Sequence, residues 1–165
     1  MQTPWGEIEV ADAHAHLFSY SFFKTLAGER GQPERVEDLV KELGWEVPPK
    51  ENAELASRWV SELDSHSVAR SVLMSSVPGD ENSAMEIVGA RPDRFYGYFM
   101  FNPLAPDAGG RALRAFDQFG LRGLCLFPAM HHFSVQDARL DLIYELAGER
   151  PGVVIFVHTG ILTVG

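Results

Sequence analysis

The sequence predicts an α/β fold in which parallel strands alternate with helices. Three observations carry this expectation. Five short runs are rich in apolar and β-branched residues, the segments between them repeat apolar residues at helical period, and Gly and Pro punctuate the joins. The order β-α-β-α-β-α-β-α-β implies right-handed crossovers and a parallel sheet. With 165 residues, 45% hydrophobic and 22% charged, the chain has the make-up of one globular domain. Disordered, coiled-coil and collagen-like classes are excluded by the same figures. The length also argues against a closed (β/α)8 barrel, which usually takes about 250 residues.

The first strand is expected over Ile8 to His16. An irregular stretch follows, residues 17–50, broken by Gly28, Gly31, Pro33, Pro48 and Pro49, with a short helix over Glu34 to Leu43. Asn52 reads as the cap of a helix whose Leu55, Trp59, Val60 and Leu63 share one face. The second strand is Arg70 to Ser75; Pro78-Gly79-Asp80 then leads into a helix with Ala84, Met85 and Val88 that Pro92 stops. The third strand is Arg94 to Phe101, broken by Asn102-Pro103. Asp107 is placed to cap a helix carrying Leu113 and Phe116, with Gly120 as its left-handed stop. The fourth strand is Leu121 to Phe127. After a loop, Ser134 and Asp137 resemble a capping box before a helix with Leu140, Ile143, Tyr144 and Ala147. The fifth strand, Val153 to His158, is a continuous apolar run of the kind buried on both faces.

Charge and composition narrow the partners. A net charge of -9, with no Lys/Arg-rich run, argues against nucleic acid. The lone Cys125 excludes an internal disulfide and fits a reducing compartment. The first residues, Met1 to Glu7, show no basic region followed by an apolar stretch, so no signal peptide is expected, and no apolar run approaches the ~18–20 residues of a membrane span. A soluble, cytoplasmic protein is therefore expected.

Chemistry concentrates in the histidines. In Asp12-Ala13-His14-Ala15-His16, strand alternation puts His14 and His16 on one face, with Asp12 beside them to orient a ring. Two imidazoles at i and i+2 can reach one ion, and neutral imidazole is a good ligand for zinc. His158 stands at the same end of the fifth strand, the edge where active sites of parallel α/β folds collect. His131 and His132 follow the fourth strand at that edge, placed to contact substrate or relay protons, or to lie solvated on a loop. Phe18, with Tyr20, Phe22 and Phe23, offers an aromatic wall over a substrate or the buried side of an inserted helix. His66 fits a helix C-terminus, and Arg70 and Arg122 begin strands, away from the active edge.

The ordered set Asp12-x-His14-x-His16 and Phe156-Val157-His158-Thr159-Gly160 resembles the amidohydrolase superfamily. Between these motifs, residues 70–76, 92–95, 101–104, 120–124 and 137–141 are similar to amidohydrolase family 2, the branch of hydrolases and metal-dependent non-oxidative decarboxylases. The resemblance implies a TIM-type (β/α)8 barrel, of which this chain carries about strands one to five, with residues 17–50 inserted after the first strand. It implies His14, His16 and His158 as metal ligands. The family's further His and Asp, on later strands, have no counterpart here, so the catalytic residues stay unassigned and residues 1–165 read as a single domain incomplete at its C-terminus. Cys125 matches the position where many relatives carry a carboxylated Lys. It cannot form that carbamate, which implies one metal rather than two; it reads as a buried, inert thiol, with a soft thiolate ligand to zinc as the alternative.

The resemblance therefore implies one divalent metal, zinc first and manganese or iron as alternatives. Its expected reaction is attack of metal-activated water on a small carbonyl, amide, ester or lactone substrate. A non-oxidative decarboxylase is the alternative within the family. A non-catalytic metal-binding chain, completed by a partner, is another, since an unfinished sheet favours homo-oligomers or other association. A five-stranded doubly wound domain of flavodoxin-like architecture also stays open, though no Gly-rich phosphate loop follows the first strand.

Overall fold

The computed structural model describes residues 2–160. A small antiparallel hairpin, Gln2–Thr3 with Gly6–Glu7, precedes the main sheet. That sheet has five strands: β1 (Ala11–Leu17), β2 (Arg70–Ser75), β3 (Phe95–Phe101), β4 (Gly123–Leu126) and β5 (Val154–Val157). They pair in the order β1-β2-β3-β4-β5, every pair parallel. A doubly wound sheet reverses its strand order at a switch point. Among the described residues no such reversal occurs, which excludes the flavodoxin-like alternative. The sheet curls as part of a TIM-type α/β barrel.

Alternation divides the strands between two environments. Leu73, Phe99, Phe101, Leu124 and Leu126 point to the convex side. There they pack on Leu55 and Leu63 of α3 (Asn52–Ser65), Ala84 and Ile87 of α4 (Glu81–Ala90), and Ile143 and Leu146 of α7 (Asp141–Gly148). Gly97 shows how close this packing is: a Cβ there would stand 2.6 Å from Leu121 Cδ2. Val72, Met74, Tyr98, Met100, Cys125 and Phe127 form a second cluster on the concave side. Between β1 and β2, α1 (Tyr20–Glu29) and α2 (Val36–Glu42) build their own core from Phe22, Phe23, Ala27, Val36, Leu39 and Val40. After β3, α5 (Ala108–Leu113) continues as a π-helical turn to Gln118, and Gly120, at φ 66°, ends it. The one-turn α6 (Pro128–His131) follows β4. Among the described residues no helix is long and apolar enough to cross a membrane.

Several local expectations need correction. β1 starts at Ala11 rather than Ile8: the hairpin ends at Glu7, and residues 8–10 belong to neither sheet. Asn52 does not cap α3; it is the first helical residue and its amide donates to Glu86. Asp107 stands at the N-cap of α5 but in the left-handed region, making no side-chain cap and pairing with Arg114 instead. Asp137 caps a 3-10 turn, Ala138–Leu140, that runs into α7, while Ser134 accepts from the Gln136 amide. The apolar run of β5 is not buried on both faces. Val154, Phe156 and Val157 remain 37–43% exposed, because among the described residues β5 has one neighbour.

Candidate metal centre

His14 and His16 project from the C-terminal half of β1 with ring centroids 5.0 Å apart, edge to face. Their common side survives an irregularity that the alternating pattern hides. The pairing with β2 slips between Asp12, opposite Ser71, and Ala15, opposite Leu73, so β1 carries one extra residue there. Asp12 is consequently out of phase with His16. It does not orient a ring; its exposed carboxylate accepts the His14 backbone N–H at 3.0 Å and holds the bulge.

β5 comes to the same place from the far side of the concave face. Phe156 stacks on His14 with centroids 4.6 Å apart. Two residues on, His158 donates its backbone N–H to the Leu126 carbonyl and stacks on Phe127 at 4.9 Å. His16 feels both other histidines. Burial pushes its pKa below the ordinary 6.5, and the neighbouring positive charges of His14 and His158 push it further down. It is therefore neutral at neutral pH, the form that ligates metals.

The imidazoles of His14 and His16 are donors of the kind a divalent transition ion takes. His14 Nδ1 is buried without a hydrogen-bond partner. The close pairing of the two β1 rings suits donors sharing one ion at Zn–N lengths of about 2.0–2.1 Å. Among the described residues no three His, Cys, Asp or Glu side chains converge closely enough to hold an ion. His14 and His16 thus form a pair, with His158 at the same strand ends but not closed onto it.

The other candidates surround this pair unequally. Phe18 lies parallel to His16 at 5.8 Å and continues to Phe22 and Trp45. His131, at the end of α6, rests its ring near Phe127 and Phe133, and its Nδ1 is buried without a partner. Burial, then the charge of His132, lowers its pKa. His132 itself is exposed at φ 56°, where it terminates α6. Cys125 is fully buried on the concave side, and burial pushes its thiol up to about 12. That suits an inert cysteine rather than a thiolate ligand. His66 caps α3 and pairs with Glu62, and the exposed Arg70 and Arg122 lie at the opposite end of the sheet.

Two contributors escape the sequence pattern. Phe156 shares the parity of His158, which is a usable signal. Ser76, whose hydroxyl oxygen stands 2.9 Å from His16 Nδ1, gives none. Compared with known proteins, residues 11–165 match the family model described as Amidohydrolase. No curated protein matches the chain.

Proposed function

The chain belongs to the amidohydrolase family of metal-dependent hydrolases and decarboxylases, and from that premise we propose that it is a mononuclear enzyme hydrolysing a small carbonyl, amide, ester or lactone substrate. His14, His16 and His158 are its metal ligands, with zinc the first choice. The observation that supports this reading is the meeting of β1 and β5 at their C-terminal ends, where a half-buried His16, its pKa lowered, lies between His14 and the influence of His158. Active sites of parallel βα folds gather at this end.

When bound, zinc supplies Lewis acidity and lowers the pKa of water. The chain's own residues handle the substrate. Phe18 presents a ring beside His16 and, with Phe22 and Trp45, shields that side from water. His131 holds an uncommitted Nδ1 with which to give or accept a proton, and His132 stands exposed next to it for polar contact with the substrate.

Metal analysis of the reconstituted chain tests the ligands. Wild type is expected to retain zinc near stoichiometry, whereas His14→Ala and His158→Ala fall towards background. Negligible metal in wild type, or unchanged metal in both variants, refutes the assignment. A panel of esters, lactones and amides, followed together with CO2 release, separates hydrolysis from decarboxylation. Bound metal without turnover of any panel member favours the partner-dependent, non-catalytic reading instead.

A further inference from the structure

Ser76 follows β2 and is 8% exposed. Its Oγ makes two contacts of different character. It donates to the Met74 carbonyl oxygen at 3.2 Å, and it stands 2.9 Å from His16 Nδ1. The carbonyl can only accept; with the single hydroxyl proton given to it, the hydroxyl is left to accept from His16, and Nδ1 carries the hydrogen. In a neutral imidazole this leaves the lone pair on Nε2.

We propose that Ser76 is a positioning residue that holds His16 as the Nδ1–H tautomer and so presents Nε2 as the donor to a divalent metal. The purpose of this arrangement rests on the metal reading above; the tautomer itself does not. A second cross-link steadies the same two segments. Ser19, just after β1, donates to Asp80 Oδ2 at 2.7 Å, and Ser83 donates to Asp80 Oδ1 at 2.5 Å. Asp80 closes the loop that begins at Ser76, so the end of β1 and the residue pair after it are tied to the loop after β2 at two points, His16 and Ser19. Groups that fix the ring orientation of a metal-binding histidine commonly change metal affinity about 10–100-fold when removed.

The test is long-range 1H–15N NMR on histidine-labelled, metal-free protein at a pH where the imidazoles are neutral. The His16 signals are identified by their loss in His16→Gln. Wild type is expected to show the Nδ1–H pattern. Ser76→Ala is expected to lose it and to weaken zinc binding about 10–100-fold in chelator competition. Ser76→Thr, which keeps the hydroxyl, is expected to restore both. An Nε2–H pattern in wild type overturns the proposal without any variant. So does a tautomer that Ser76→Ala leaves unchanged. If wild type binds no zinc, the metal reading fails alone, and the tautomer still decides the role of Ser76.

Discussion

Cys125 is chemically silent for a reason that belongs to its own surroundings. The reactive form of a cysteine is the thiolate. Packed with Met74, Tyr98, Met100 and Phe127, the thiol is held up to about 12, so it stays protonated from neutral to mildly alkaline pH. The native protein is therefore expected to resist a thiol reagent at mildly alkaline pH and to react fully once denatured. Rapid labelling of the native state would contradict this burial. At this scale the histidines are the readable part of the sequence, because alternation on a strand fixes which side chains share a face. Asp12 is not readable in the same way. The extra residue between Asp12 and Ala15 leaves no trace in a pattern of residue types, yet it turns the expected ring-orienting carboxylate into a backbone acceptor. Ser76 is silent too, since its role depends on a partner from another strand.

Among the elements, α1 depends on a single hydroxyl with two duties. Ser19 is fully buried, accepts the Phe22 amide at the start of α1 and donates to Asp80. Ser19→Ala removes the helix cap and one of the hydroxyls holding a buried carboxylate, and is expected to destabilise the protein by about 1–3 kcal/mol. Urea unfolding measures this, and a midpoint unchanged from wild type would refute it. Burial raises the Asp80 pKa, although the hydroxyls of Ser83, Ser19 and Ser21 oppose the rise. With a folded pKa above the ordinary 3.8, its charge disfavours folding as pH rises through the folded value. The elements themselves were legible where composition and punctuation agree, as in β2, whose bounds match the expected Arg70 to Ser75. They were less so where the neighbours decide. The run from Val153 to Val157 has the composition of a doubly buried strand, but burial needs a second neighbour, and composition cannot supply one.

Across the whole molecule, the concave face and the outer edge of β5 leave apolar surface in water. Tyr96 is 44% exposed, and Val154 and Phe156 stand on β5, which among the described residues is the edge strand of the sheet. Such edges template pairing with another chain. The 165-residue chain is therefore expected to self-associate, with a mass by light scattering that rises with concentration. A monomer at every concentration would refute this. One contact described above has an optical consequence. Trp45 touches Phe18, and Phe18 lies against His16, whereas Trp5 is 92% exposed in the hairpin and Trp59 packs against the convex core. A paramagnetic ion such as Co2+ or Cu2+ seated at the histidine pair is expected to dim the emission of Trp45 before that of the other two. Titration of the ion into wild type and Trp45→Phe would read this directly, with equal quenching in both counting against it. The indole near the rim is thus a built-in light meter for the histidines beneath it.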